Sequence, residues 1–491
     1  MTARNVVVIG AGFGGLAVAA LLARQGMKVT VVEKNEMAGG KARVWEKDGF
    51  TFDMGPSWYL MPEVFENFFS LFGKKREDYY ELVKLDPFYR VFFNHQEMVD
   101  ITSDPVHNTE IFDYFEAGGG VRLKSYLDTA KFKYDTAMRE FMYVDYRSVL
   151  QFMNRRMMTE GLKLDMFSPL DKYVRKFFQD RRARQILEYA MVFLGNSPHN
   201  APALYSIMSH VDFNLGVWYP CGGMGEIAKG FEKLASEMGV EFKYNLPVTE
   251  IKLQGNRVKG VVTPEGEIEA EAVIVNADYA FAETALLPKQ HQAYPESYWN
   301  KKVIAPSMLL AYLGVDKKID RLAHHTLYFT ENWDHHFSKI FDEPAWPEEF
   351  CYYVGCTSRT DKTTAPQGKE NIFFLIPVAA GLEDTPEIRE EMFNRGMDHF
   401  EGLVGESIRD SLLVKRLFSI KDFEKDYNAY RGTALGLAHT LKQTAVYRPG
   451  HRSKNIKNLY YTGQYNHPGV GVPMVLISSQ VVAEIIGKEL I

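Results

Sequence analysis

The chain opens on a short apolar run, Val6–Ile9, then a glycine turn, then a long apolar stretch from Phe13 to Leu22. A second apolar run, Val29–Val32, closes on Glu33. This order predicts strand, helix, strand. A similar alternation returns from Trp218 onward. There a helix is expected over roughly 224–238, followed by short alternating strands with turns at Gly255-Asn256 and Glu265-Gly266. The apolar run Ala272–Val275 then ends at Asn276-Ala277-Asp278. Near the C-terminus, Leu459–Thr462 reads as a strand broken by Gly463. A loop through Gly469-Val470-Gly471-Val472-Pro473 leads into a helix from about Met474. Pro473 suits a first helical turn, because its missing N–H is an orphan position there anyway. Between these pieces lie 73–217 and 290–420, rich in Phe, Tyr and Met and without such a pattern. In the first, Leu170, Tyr173, Val174, Phe177 and Phe178 fall at helical spacing among Lys172, Arg175, Lys176, Arg181, Arg182 and Arg184. That stretch, 170–189, predicts a basic amphipathic helix suited either to a membrane surface or to the core of its own domain.

The first turn carries the chemistry. Gly10, Gly12 and Gly15 form G-x-G-x-x-G directly after a strand and at the mouth of a helix, with Gly14 inside the motif. Gly10 permits the tight turn, Gly12 lets the backbone approach a pyrophosphate, and Gly15 lets the helix pack close to the sheet. The helix N-terminus offers unpaired N–H groups and a positive dipole end to phosphates. Glu33, followed by Lys34, stands where a carboxylate accepts both ribose hydroxyls and repels a 2′-phosphate. The spacing therefore predicts a dinucleotide site and argues against NADP.

A second glycine pair, Gly39-Gly40, follows with Lys41, and then Gly49-Phe50-Thr51-Phe52-Asp53-Met54-Gly55-Pro56. An NAD dehydrogenase has no reason to carry this pair. Together with the first fingerprint it resembles the flavin amine oxidase and phytoene desaturase superfamily. Three further stretches, Ala201–Ser209 (APALYSIMS), Gly216–Gly225 (GVWYPCGGMG) and the closing NLYYTGQYNHPGVGVP, resemble the bacterial-type phytoene desaturases over the whole length. Lys41 stands where that superfamily usually has Arg, which keeps the charge but loses the bidentate fork. Gln464 follows Gly463 where amine oxidases have an acid.

The resemblance implies an α/β fold: a glutathione-reductase-like FAD-binding Rossmann domain with an inserted α+β substrate domain. The FAD-binding domain would be assembled from 1–72, 218–289 and 421–491, and the substrate domain from 73–217 and 290–420. It implies FAD as cofactor, contacted by Gly10, Gly12, Gly14, Gly15, Glu33, Lys34, Gly40, Lys41, Gly55, the Val248 backbone at the adenine, Gly463, Val472 and Met474. The helix from about Met474 would aim its N-terminus at the flavin ring, where negative charge develops on reduction. The implied reaction is desaturation of a linear carotenoid precursor, phytoene or its C30 analogue, by hydride transfer from an allylic carbon. Quinone or oxygen would reoxidise the flavin. A carotenoid isomerase using reduced FAD and a non-catalytic prenyl-lipid carrier of the GDI type are the alternatives. His467 is a candidate base, set against a histidine bonded to backbone. Asp145 and Arg147 could also serve, though nothing singles them out.

Composition narrows the setting. The net charge of −6 gives no hint of nucleic acid, and three cysteines over 491 residues suggest a reducing compartment without a disulfide framework. No stretch is apolar enough to span a bilayer, and the N-terminus enters a strand at once, without a signal peptide. The expected location is cytoplasmic, peripheral on the inner face of the cell membrane. His324-His325 and Asp334-His335-His336 invite a metal reading, but the polar surroundings predict a surface loop, and no metal site is expected.

Overall fold

The computed structural model describes residues 4–148, 151 and 168–490. The strand Asn5–Ile9 lies at the centre of a five-stranded parallel sheet. Its order is Leu459–Tyr461, Ala272–Val275, Asn5–Ile9, Lys28–Val32, Glu241–Lys243, so the sheet draws on widely separated parts of the chain. Val6, Val7 and Val8 are all buried, as expected for a parallel strand covered on both faces. The helices Phe13–Arg24, Met224–Glu237 and Val472–Leu490 cover one face, packing Leu16, Ala20, Ile227, Phe231, Leu476 and Ile477 into one apolar cluster. A three-stranded antiparallel meander, Glu250–Gln254, Arg257–Thr263 and Gly266–Glu269, turns at the two predicted positions and packs on the other face.

The two Phe/Tyr/Met-rich stretches build a seven-stranded sheet. Its order is Leu412–Phe418, Ser307–Val315, Glu370–Val378, Tyr352–Gly355, His325–Tyr328, Tyr89–Phe92, Met98–Ile101. All pairings are antiparallel except Tyr89–Phe92 with His325–Tyr328. Asp53 ties the N-terminal strand pair to the second nucleotide segment. Gly223, with no side chain, is the N-cap of Met224–Glu237, and Asp53 Oδ1 accepts the Gly225 N–H at 3.3 Å in its place. A Cβ on Gly223 would lie 2.9 Å from that oxygen, so this glycine makes room for the carboxylate.

Two expectations are corrected. The stretch 170–189 is not one amphipathic helix. It forms Leu170–Val174 and Arg181–Glu188, separated where the Glu116 carboxylate accepts the N–H groups of Gln179 and Asp180 at 2.8 and 2.6 Å. Asp180 then caps the second helix through the Arg182 N–H at 2.7 Å. Leu170, Tyr173, Val174 and Phe178 are buried in the core, and Arg182 is paired with Asp180 and Glu97. The apolar face of this stretch is thus covered by its own domain. The paired histidines are also not a surface loop: His324, His325 and His336 are all buried. His325 opens a strand of the larger sheet and stacks on Trp58 with ring centroids 4.3 Å apart, because a neutral imidazole packs as a flat aromatic. Among the described residues no cluster of three or more His, Cys, Asp or Glu is arranged to hold a metal ion.

Candidate flavin site and the cavity beside it

The glycine turn, the second glycine pair and the aromatic insert line one cavity of about 860 Å³. Gly10, Gly12, Gly14, Glu33, Lys34, Gly40, Lys41, Gly55, Val248, Gly463, His467, Val472 and Met474 all reach its wall. Gly15 lies behind the turn instead, where a Cβ would sit 2.0 Å from the Gly10 carbonyl oxygen. Its role is the close contact of helix and strand.

Gly12 is the N-cap of Phe13–Arg24, and neither a side-chain cap nor an acidic residue occupies that first turn. Its orphan amides and dipole end are therefore available to an anion at the cavity wall. Gly39 donates its N–H to Ala11 O at 2.8 Å and bridges to Gly12. Gly40 has φ +57, and a Cβ there would lie 3.2 Å from Gly12 Cα. The two glycine motifs thus touch, leaving a cradle that any side chain would fill.

Glu33 is buried, and its carboxylate is fixed at both ends. Oε2 accepts the Ala11 N–H at 2.7 Å and Oε1 accepts the Asn35 N–H at 2.9 Å. Each oxygen keeps lone-pair capacity for a hydroxyl donor. Lys34 Nζ donates to Lys425 O at 2.6 Å and to Asn428 Oδ1 at 3.1 Å, which joins the ribose-side loop to the C-terminal segment. Lys41 Nζ donates to Ala434 O at 2.6 Å and to Gln464 Oε1 at 3.3 Å. Burial pulls this ammonium down to about 8, against the pull of the Asp278 carboxylate.

The final helix, Val472–Leu490, begins at the cavity and has no acidic residue in its first turn. Ser479 Oγ donates to Gly14 O at 2.9 Å, locking this helix to the fingerprint. The preceding loop packs on His439, since a Cβ on Gly469 would lie 2.2 Å from that ring.

His467 lines the cavity with Nε2 2.9 Å from Phe141 O. A carbonyl only accepts, so Nε2 carries the proton and Nδ1, which has no hydrogen-bond partner among the described residues, carries the lone pair. Burial pushes this imidazole down to about 4. Asp145 is bound to Arg452 at 2.5 Å and to Arg147 at 3.0 Å, a structural ion-pair group.

Several wall residues carried no assignable signal in the sequence. Asn276 donates to Thr462 O at 3.1 Å and fills the space beside Gly12, Gly14 and Gly463. Its place at the end of an apolar strand was the available cue. Asp278 accepts from Tyr465 OH at 2.5 Å, Phe281 N–H at 3.1 Å and Tyr430 N–H at 3.2 Å. Farther along, Trp58, Tyr189, Phe193, Met208 and Leu375 make the wall apolar, and Asp212 is set among them.

Residues 13–487 match the family described as flavin containing amine oxidoreductase. The chain belongs to this family. It is also 44% identical over 494 residues, 100% of this chain and 99% of the relative, to a carotenoid 3,4-desaturase of Haloarcula japonica. Identity to a zeta-carotene-forming phytoene desaturase of Myxococcus xanthus is 34%, covering 98% of this chain and 93% of that one. Within the family the chain thus groups with the phytoene desaturase type. A solved structure of wild-type putrescine oxidase bound to putrescine superposes with a TM-score of 0.62 at 16% identity, covering 99% of each chain. That likeness concerns the fold: an FAD-binding Rossmann domain with an inserted substrate domain. The protein is an FAD-dependent oxidoreductase, and its residues fit that cofactor. The uncapped helix start, the side-chain-free cradle and the buried Glu33 carboxylate suit pyrophosphate and ribose.

Proposed function

We propose that this flavoenzyme desaturates a linear carotenoid-type polyene. One observation carries the reading: the wall that begins at a dinucleotide cradle continues as Trp58, Tyr189, Phe193, Met208 and Leu375. A hydrocarbon chain offers no polar handle, so its binding rests on apolar area, at roughly 25 cal/mol per Å² buried. The full-length likeness to two carotenoid desaturases supports the same substrate class.

FAD, when bound, supplies the two-electron acceptor for an allylic C–H bond. The chain's own residues do the rest. Gly12, Gly40 and the start of Phe13–Arg24 would hold the pyrophosphate, and Glu33 the ribose. Lys41 and the start of Val472–Leu490 would place positive potential at the cavity wall, where the reduced cofactor is more negative. The apolar wall excludes water from the reacting carbons. Quinone or oxygen would take the electrons away.

Peripheral contact with the inner face of the cell membrane belongs to the same proposal, since the substrate lives there. Among the described residues no helix is long and apolar enough to cross a bilayer. With 170–189 covered, the exposed apolar side chains Val106, Tyr114, Val121 and Phe132 on Pro105–Phe115 and Gly119–Glu140 are the better contact.

The test is incubation of FAD-loaded protein with phytoene, or its C30 analogue, in liposomes, with and without quinone. New long-wavelength polyene bands are expected, faster with the effective acceptor. Unchanged substrate under every acceptor would remove the reading.

A further inference from the structure

Desaturation removes a proton as well as a hydride, and the cavity wall must supply its acceptor. Among the described residues four carboxylates reach that wall: Glu33, Asp212, Asp278 and Asp426. Three are committed. Glu33 is held at both oxygens by Ala11 and Asn35 amides. Both oxygens of Asp278 accept hydrogen bonds, and Asp426 is paired with Arg43 at 2.6 Å.

Asp212 differs. It sits in a π-helical turn, Val211–Leu215, a backbone irregularity that tends to mark functional positions. Its Oδ2 accepts from Tyr89 OH at 2.8 Å and Tyr189 OH at 2.9 Å, while Oδ1 is buried and makes no hydrogen bond among the described residues. The residue is 5% exposed, and among the described residues no cation pairs with it. Tyr189 in turn packs against Trp58, with ring centroids 6.0 Å apart, and Trp58 follows Gly55–Ser57 on the same wall. Two hydroxyl donors, and no described cation, offset the cost of burying its charge.

We propose that Asp212 is the proton acceptor of the desaturation, its carboxylate taking the proton from one allylic carbon. The electron pair of that C–H bond becomes the new π bond, as the neighbouring carbon gives up hydride to the two-electron acceptor. The carboxylate ends as a carboxylic acid, and its proton later returns to water. The inference rests on the desaturase reading above. Burial supports it by raising this carboxyl to about 7 against the two tyrosine donors, a basicity suited to neutral pH. His467, held at about 4, is the weaker base.

The test compares wild type, Asp212→Asn and Tyr189→Phe, each loaded with FAD. Asp212→Asn keeps the shape and the tyrosine contacts but cannot take a proton. Its turnover is expected to fall by about 100-fold or more, with flavin content and polyene binding, read by flavin fluorescence quenching, within about 2-fold of wild type. Tyr189→Phe removes one donor to the anionic form, so its rate–pH profile should move to higher pH. A merely structural tyrosine would leave that midpoint in place. In the flavin-free protein, the infrared difference between wild type and Asp212→Asn titrations should contain a carboxyl band that titrates near neutrality, beside the bands of Asp53 and Glu188 that both proteins keep. Asp212→Asn turnover within about 3-fold of wild type, or an unmoved Tyr189→Phe midpoint if the first variant fails to fold, overturns the inference. A wild type that binds polyene and never desaturates it overturns the parent reading instead.

Discussion

Gly39 and Gly12 form a parallel β-bridge, and the Gly39 N–H donates to Ala11 O at 2.8 Å. The second glycine pair is therefore the other wall of the first turn. A Cβ at Gly40 would stand 3.2 Å from Gly12 Cα, so the two segments are in backbone contact and a pyrophosphate would lie across them, over a surface without side chains.

Gly15 and Gly26 separate steric fit from backbone strain. A Cβ at Gly15 would sit 2.0 Å from Gly10 O, whereas Gly26 has φ +89 and nothing within 4 Å. Gly15→Ala should cost about 3 kcal/mol or more and yield flavin-poor protein. Gly26→Ala should cost about 1 kcal/mol and keep its flavin. Denaturant melts with flavin counts check both.

Glu33→Gln replaces one acceptor oxygen by an amide that must point its N–H groups at the Ala11 or Asn35 N–H. Hydrogen bonds to a charged group are worth about 1.5–3 kcal/mol, so FAD affinity should fall by about 10-fold or more. Fluorescence titration of the flavin-free protein measures it, and an unchanged Kd would refute the ribose assignment.

Lys41 sets a pH dependence. Its folded value, about 8, lies below the ordinary lysine value of 10.5. Between these two pH values the unfolded chain binds the extra proton, so the flavin-free protein should gain stability as pH rises through that window. Below it, the cost of burying the ammonium is fully present. Thermal melting of Lys41→Met should remove this slope; a parallel curve would contradict the burial of its charge.

His467 is bonded to Phe141 O and is a poor proton acceptor at about 4. His467→Asn should lower stability by about 1 kcal/mol and leave turnover within several-fold. A loss of about 100-fold with intact flavin would restore it as the base.

The nucleotide half was legible because its signals are local. Gly10, Gly12 and Glu33 must follow a strand at fixed offsets, and Ala272–Val275 shows its burial on both faces by being wholly apolar. The stretch 170–189 puts its apolar side chains on the core, one of the two placements its pattern allows, but it is two helices rather than one because Glu116, far away in sequence, takes the amides of Gln179 and Asp180. The histidines were misread, since the stacking of His325 on Trp58 is a tertiary contact with no period in the chain. Asp212 carries no motif. Only the fold brings Tyr89 and Tyr189 to the same oxygen.

In the proposed reaction this cavity passes hydrogen from a polyene to the flavin. Its most direct test is anaerobic mixing of FAD-loaded protein with phytoene or its C30 analogue, following flavin and polyene absorbance together. The oxidised flavin band is expected to bleach in step with the formation of one new double bond, conjugated with the polyene, per flavin. A flavin that stays oxidised in the presence of bound polyene would contradict it.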